Sequence, residues 1–165
     1  VGIIQKGRVE IGWDVPEVGS LAVAAAGQLA VKVAGPDAFK NTVGQTFTRF
    51  TYCAGTGQAD PVLTDFIRRV QAFAPGRGMQ LDYFNIANGY DGAYILRAAI
   101  EATGATDGPT LAKWMESHAG EIKIVSVAKL TASNTNHFMF GTDSLTMAQH
   151  PESRNEQGLQ QRVGC

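Results

Sequence analysis

Side chains able to do metal or nucleophilic chemistry are few in this chain and widely separated. The histidines are His118, His137 and His150, and the cysteines are Cys53 and Cys165. A zinc site needs its ligands at short, regular intervals, and no such interval joins these five residues. We therefore expect neither a metal site nor a cofactor.

Catalytic loops of known pattern are missing from the sequence. It holds no G-x-S-x-G elbow, no P-loop and no G-x-G-x-x-G fingerprint, and Gly55-Thr56-Gly57 is too short to cradle a phosphate. The enzymatic alternative that is left is a thiol site at Cys53, although no neighbouring residue indicates an activated thiolate. We expect no catalytic residues and no enzyme.

The two cysteines leave several alternatives open. A buried apolar role suits Cys53, which follows a strand-like segment. Cys165 is a free thiol, the disulfide partner of Cys53, or the partner of a cysteine that precedes Val1 in a longer protein. The sequence does not choose among the three.

Composition argues against two broad classes. The net charge is −1, and no cluster of Lys and Arg forms the basic surface that nucleic-acid binding requires. No apolar run approaches the ~20 residues that span a bilayer. The chain starts at Val1 without an initiator Met, so we expect it to be part of a larger protein, and a missing signal peptide then says little.

Local signals in the first third alternate between helix and strand. Residues 1–11 have the pattern of a helix end, 15–19 that of a short strand, and 21–33 that of an Ala-rich helix. Ser20 is the expected N-cap of that helix, its hydroxyl accepting a bond from a backbone N–H. Residues 42–52 favour a strand, but their aromatic side chains change face, which predicts a bulge or a passage into another environment.

Three helices are predicted in the middle of the chain. Asp60-Pro61 is a capped start with proline at the first helical position. Asn88-Gly89-Tyr90-Asp91 opens a second helix that ends at Gly104. Asp107 caps a third helix, with His118 on its apolar face as a core histidine.

The last part of the chain is predicted to be extended and then irregular. Residues 121–130 and 137–140 have extended patterns, and 144–149 is the expected last strand. Residues 150–165 are mostly polar, so we expect a tail that frays or lies over the surface.

The pattern as a whole is α/β. A doubly wound domain needs several buried parallel strands, which show as Val, Ile and Leu runs. Only 15–18 and 122–127 come close, so the central strands of the sheet are expected to be missing.

The order of these segments resembles the C-terminal half of the periplasmic solute-binding proteins of the branched-chain amino-acid (Leu/Ile/Val-binding) type. The likeness extends from about residue 1 to residue 149 and depends on order and spacing, because each piece alone is common. Its pieces are Gly12-Trp13-Asp14-Val15-Pro16 with Val18-Gly19-Ser20, the helix of residues 60–73, Gly89-Tyr90-Asp91 with Leu96, Ala98, Ala99 and Ile100, the run Glu101-Ala102-Thr103-Gly104-Ala105-Thr106-Asp107, and Gly141-Thr142-Asp143-Ser144-Leu145.

This resemblance implies a partial type I periplasmic-binding-protein fold, with parts of two doubly wound α/β lobes and without their central strands. It assigns residues 1–52 to the second lobe and 53–140, mainly helices, to the first lobe. Residues 141–149 form a closing strand that returns to the second lobe, and 150–165 form the tail.

The function that the resemblance implies is that of the periplasmic or otherwise extracytoplasmic component of an ABC importer. Such a protein catches an amino acid, an amide or a small carboxylate between its lobes by hinge closure and delivers it to a membrane permease, without covalent chemistry. A cytoplasmic or receptor-type sensor of the same fold is the alternative, followed by a small hydrolytic or thiol enzyme.

Four residues are predicted to line the ligand cleft. Ser20 and Leu21 follow a strand end, where open α/β sheets bind ligands. Tyr52 lies at the proposed crossing between lobes and Tyr90 at a helix start, each with a packing role as the alternative. Relatives place an acid or polar residue near this loop for the ligand ammonium group, whereas the nearest acid here is Glu17.

The missing strands predict one further property. A sheet without its central strands exposes edges and apolar helix faces. We therefore expect the chain to associate with itself or with a complementary chain.

Overall fold

The computed structural model describes residues 1–55, 60–75 and 83–165. Its helices are α1 (Gly2–Glu10), α2 (Leu21–Ala34), α3 (Pro61–Phe73), α4 (Tyr83–Thr103) and α5 (Gly108–His118), and its strands are β1 (Glu17–Gly19), β2 (Thr42–Phe47), β3 (Thr51–Tyr52), β4 (Leu145–Gln149) and β5 (Gln160–Arg162). None of the helices in the described ranges is long and apolar enough to cross a membrane.

One mixed sheet carries all five strands, in the order β1-β2-β4-β5-β3. Strand β1 runs parallel to β2, which runs antiparallel to β4. Strand β5 lies antiparallel to β4 on one side and parallel to β3 on the other. Within the described ranges, β5 is the strand through which β3 joins the sheet.

The polar tail is part of this sheet, and the expectation that residues 150–165 fray is wrong. Leu159 and Gln160 are buried, as is Pro151. The segment is ordered because β4 and β3 each need a neighbour for their backbone N–H and C=O groups, and β5 supplies it. Strand β4 is thus not the last strand of the chain.

A turn of 3₁₀ helix at Thr48–Phe50 explains the change of face within residues 42–52. It separates β2 from β3 and brings Phe47 and Phe50 into one buried cluster, where both rings contact Phe84. The strand therefore passes into another environment instead of carrying a simple bulge.

The main hydrophobic core lies among this crossing, α3, the start of α4 and an irregular segment, residues 122–130. Phe66, Leu63, Leu130 and Leu159 are essentially inaccessible to solvent. A smaller cluster forms around Phe39 below α2. The core residues of the main cluster are Phe47, Phe50, Leu63, Phe66, Ile67, Tyr83, Phe84, Ala87, Ala119, Ile124, Val125, Val127, Leu130 and Leu159.

Helix α4 begins at Tyr83, so the prediction of a start near Tyr90 placed it too late. Asp91 is consequently not a helix-start charge. It lies inside α4 with only 3% of its surface exposed, and its carboxylate accepts bonds of 2.7 Å from the backbone N–H groups of Val125 and Ser126. A buried carboxylate is tolerated because charge-assisted bonds satisfy it.

The segment that Asp91 binds was predicted to be a strand, and it is irregular. Arg49 holds its other side by donating to the carbonyl oxygens of Ile124, Val125 and Val127 at 2.8–3.0 Å. The same guanidinium pairs with Asp60 at 3.0 Å. Side chains thus satisfy backbone groups that a sheet would otherwise bind.

Most of the predicted helix caps are confirmed. Asp60 and Asp107 accept bonds from the backbone N–H groups of Val62 and Thr110. Ser20 does occupy the N-cap of α2, but in the described part of the chain its hydroxyl accepts no bond from that helix.

The remaining predictions for this part of the chain were less accurate. On the predicted apolar face of α5, Leu111 is buried, whereas His118 is half-buried and stacks on Trp114, so it is not a core histidine. Residues 137–140 are not a strand; they follow a short turn in which Ser133 and Asn136 form an isolated bridge.

Candidate ligand cleft

A narrow cleft opens beside the carboxyl ends of β1 and β2, the edge at which open α/β sheets bind ligands. It encloses about 20 Å³, room for about one water molecule. Its wall combines the start of α2, the end of β2, the start of α4 and the C-terminal segment. The lining residues are Leu21, Ala25, Thr46, Phe50, Tyr83, Phe84, Arg154, Gly158 and Gln160.

A roomier groove of about 190 Å³ lies at the opposite ends of the same strands, between Trp13, Asp37 and Lys40. Volume alone would favour it. Position favours the narrow cleft, because ligands of open α/β sheets bind at the carboxyl ends of the parallel strands, where the following loops and helix starts lie. We therefore take the narrow cleft as the candidate site.

The C-terminal wall of the cleft is fastened to α2 through one backbone carbonyl. The Ala24 oxygen accepts 2.7 Å and 3.1 Å bonds from Arg154 Nη2 and Gln160 Nε2. A side chain at Gly27 would overlap the Pro151 carbonyl, so the segment packs directly on the helix backbone. The Arg154 and Gln160 side chains are thus fixed by their hydrogen bonds to the backbone of α2.

Gly158 allows the backbone of the C-terminal segment to contact the ring of Tyr83 closely. Its φ of 79° lies in the left-handed region, and a Cβ there would overlap the tyrosine ring. The turn is stabilised by Asn155, whose side chain accepts bonds from the N–H groups of Gln157 and Leu159. Glycine is therefore required by both conformation and space.

The structure brings two of the four predicted site residues to this edge. Leu21 lines the cleft, and Ser20 precedes it at the exposed N-cap of α2. Tyr52 is half-buried in β3, opposite Gln161, and packs against the main core. Tyr52 does not line the described cleft.

Tyr90 lies away from the cleft, between α3 and α4. Its ring meets Phe66 edge-on and stacks on Tyr94, and its hydroxyl accepts a 2.7 Å bond from Arg69. Burial raises the pKa of Tyr90, while the hydrogen bond from Tyr90 lowers the pKa of Tyr94. These contacts are those of a packing residue.

Glu17, the acid nearest to the α2 loop, is engaged elsewhere. Its carboxylate binds Arg8 and Gln5 of α1 and accepts a 3.1 Å bond from the Thr42 hydroxyl. Arg8 also donates to the Val15 carbonyl at 2.7 Å. Glu17 therefore links β1 to α1 and to Thr42 of β2, away from the candidate cleft.

Sequence reasoning missed Arg154, Gly158 and Gln160 because it treated the tail as frayed. A signal was present. Asn155 and Gly158 bracket a turn of the kind that these residue types favour, and apolar Leu159 follows at the start of an extended segment. That combination predicts a turn leading into a buried strand.

Cys53 and Cys165 form a disulfide, with their Cα atoms 5.4 Å apart. The open question about the cysteines is thereby answered, and the disulfide removes the thiol on which a Cys53 catalytic site depends. Among the described residues, no group of three or more His, Cys, Asp or Glu side chains is arranged to hold a metal ion.

Comparison with known proteins yields a structural match. No protein-family model matches the sequence, and no curated protein matches it. A solved structure of a periplasmic binding protein type 1 from Bordetella pertussis Tohama I superposes with a TM-score of 0.70 at 21% identity, over 90% of this chain. The chain has part of the type I periplasmic-binding-protein fold.

The extent of the match is itself informative. The chain spans 39% of the length of the Bordetella protein. The predicted class, a partial type I fold of mixed α/β structure, is therefore confirmed, while at this identity the likeness concerns the fold alone. The division into lobes at residues 52, 140 and 149 stays a prediction.

Proposed function

We propose that this chain contributes to an extracytoplasmic solute-binding protein, with the cleft beside β1 and β2 as its part of the ligand site. The observation that carries the proposal is the fold likeness to a periplasmic binding protein. The position of the cleft at the carboxyl edge of parallel strands agrees with it.

The lining of the cleft favours a carboxylate or an amide among the three ligand classes of the resemblance. Its wall includes the cation Arg154, and Gln160 and Thr46 add polar groups that suit oxygen and nitrogen atoms of the ligand. The Arg154 guanidinium also donates to the carbonyls of Ala24, Pro151 and Ser153, so its charge, and not a free N–H group, would favour an anion. Leu21, Phe50 and other apolar walls would select the remainder of the molecule.

The small size of the cleft supports hinge closure as part of this proposal. A space of about 20 Å³ admits no amino acid or carboxylate, so uptake requires an open form. A ligand bridging both walls then favours closure by its higher affinity for the closed state. Delivery to a membrane permease completes the proposed importer role.

The disulfide supports an extracytoplasmic location. Disulfides persist in oxidising compartments and are rare in the cytosol, and both cysteines of the chain are paired. A cytoplasmic sensor of the same fold would have to keep this bond in a reducing environment.

A ligand screen by thermal unfolding tests the proposal. We expect a small amide or carboxylate to raise the Tm, since ligand at 100 times its Kd adds about 2.7 kcal/mol to stability. Leu21→Trp should fill the cleft and abolish the shift. Ala22→Trp, which places the same side chain at the neighbouring exposed position, should preserve it.

Two results would contradict the proposal. One is a panel of amino acids, amides and carboxylates that leaves the Tm unchanged at millimolar concentration. The other is a ligand that binds Leu21→Trp as well as it binds the unaltered protein, which would place the site elsewhere.

A further inference from the structure

The disulfide joins two segments that each contribute to the candidate cleft. Cys53 follows Phe50 by three residues, and Cys165 follows Gln160 by five. Phe50 and Gln160 both line the cleft. The Cys53–Cys165 bond therefore limits how far these two parts of the cleft wall can separate.

Hydrogen bonds connect the same two segments more weakly. Strand β5 pairs with β3 through two residue pairs, and Arg162 donates to the Thr51 hydroxyl at 2.9 Å and to the Thr48 carbonyl at 3.1 Å. Arg162 is half-buried, so water can replace its bonds when the segments open locally. The disulfide is the connection that water cannot replace.

The other side of the C-terminal segment is held to α2 independently of the disulfide. The Ala24 carbonyl accepts the bonds from Arg154 and Gln160 in either redox state of the cysteines. These bonds do not fix the distance from the segment to β3. Loss of the disulfide would thus leave the cleft wall attached on one side and able to move away from Phe50.

The position of the disulfide permits exchange with thiols, because Cys165 is exposed and Cys53 is half-buried. A thiolate of a dithiol attacks one sulfur of the bond and releases the other cysteine as a thiolate. The second thiolate of the dithiol then displaces the remaining cysteine, which yields two cysteine thiols and one disulfide on the reagent. Oxidation is the reverse reaction and converts a disulfide oxidant to its dithiol.

We propose, on the basis of the solute-binding function proposed above, that formation of the Cys53–Cys165 bond activates the cleft for ligand binding. Before the bond forms, as in a reducing cytosol, the wall separates from β3 and ligand binds weakly. Oxidation outside the cytosol then fixes the wall beside Phe50. If the wall of the reduced protein is in place for about a tenth of the time, the apparent Kd is about tenfold higher than that of the oxidised protein.

A longer connection between β5 and Cys165 tests this proposal without removing the bond. Insertion of Gly-Ser-Gly between Gly164 and Cys165 keeps the disulfide, and the entropy of loop closure changes little when three residues are added. We expect the Kd for propionate or propionamide, measured by calorimetry, to rise about tenfold, as it should for Cys53→Ser/Cys165→Ser. The same insertion after Ala105, in the turn between α4 and α5, should leave the Kd unchanged.

Hydrogen exchange of the backbone amides reports on the cleft wall without a ligand. Exchange at residues 158–162 should be about tenfold faster in the insertion variant at Cys165 and in the double variant than in the oxidised protein, and unchanged in α5. Equal exchange rates in all three proteins, or an equal Kd in the oxidised protein and this insertion variant, would overturn the proposal. If neither probe binds the oxidised protein, the solute-binding function fails, and the exchange rates alone decide whether the disulfide fixes the wall.

Discussion

Removing the disulfide is the perturbation with the largest expected effect on stability. Cys53 follows β3, and Cys165 lies three residues after β5. In the described part of the chain β3 pairs with β5 through Thr51 with Gln160 and Tyr52 with Gln161, and Arg162 of β5 also donates to the Thr51 hydroxyl at 2.9 Å. The double variant Cys53→Ser/Cys165→Ser leaves this short ladder without its covalent support.

The magnitude follows from the length of the loop that the bond closes. The cysteines are 112 positions apart in sequence. Loop-closure entropy for that length is about 16 cal/mol/K, or about 4.8 kcal/mol at 25 °C, and measured losses for native disulfides are about 2–5 kcal/mol. We expect the free energy of unfolding to fall by about 2–5 kcal/mol and the Tm by roughly 6–15 °C.

Urea unfolding followed by circular dichroism measures this difference. The unaltered protein kept in a dithiol reductant is the matched control, and its unfolding midpoint should coincide with that of the double variant. Equal midpoints for the oxidised protein and the double variant would refute the reasoning, as would two titratable thiols in oxidised protein under denaturing conditions.

Two further predictions concern single carboxylates. Asp91→Ala should lower the free energy of unfolding by about 3 kcal/mol or more, since two buried N–H groups lose a charged acceptor, whereas Asp65→Asn at an exposed ion pair should change the urea midpoint little. The hydrogen bond from the backbone N–H of Thr110 lowers the pKa of Asp107 from its ordinary value. The stabilisation that this bond gives is therefore complete above the ordinary pKa of an aspartate and is lost as the pH falls through the lowered pKa of the folded state. Asp107→Asn should flatten the loss of stability between about pH 5 and pH 2 in acid titrations, and an unchanged acid limb would exclude this role.

Features set by neighbouring residues were predictable from sequence. A capping Asp followed by Pro begins α3, and Asp107 begins α5. The short strand β1 and the helix α2 also lie where the pattern placed them. Each of these signals depends on side-chain chemistry within one or two turns, which a sequence displays directly.

Features set by distant partners were not predictable. A polar tail becomes β5 only because β4 and β3 offer edges on both sides of it. The segment around Val125 has the composition of a strand, yet Asp91 and Arg49 take up its backbone groups first. Tertiary partners override local propensity in both cases.

Some residues of the candidate cleft are positioned by local signals and others by distant parts of the chain. Leu21 could be placed beside the cleft from sequence because the end of a strand and the start of a helix are local signals that mark the carboxyl edge of a sheet; its role in binding stays a prediction. Arg154 and Gln160 were missed because their position depends on the Ala24 carbonyl, more than a hundred residues earlier in the chain. Tyr90 was chosen from a motif, and its neighbours are those of a packed side chain.

The place of β5 between β4 and β3 has a consequence for how the chain folds. Strand β3 is synthesised more than a hundred residues before β5, yet in the described part of the chain β5 is the strand through which it meets the sheet. Strand β3 therefore stays unpaired on that side until β5 has been synthesised. Contacts of such long sequence separation slow folding, and the sheet stays incomplete while the residues between these two strands are being made.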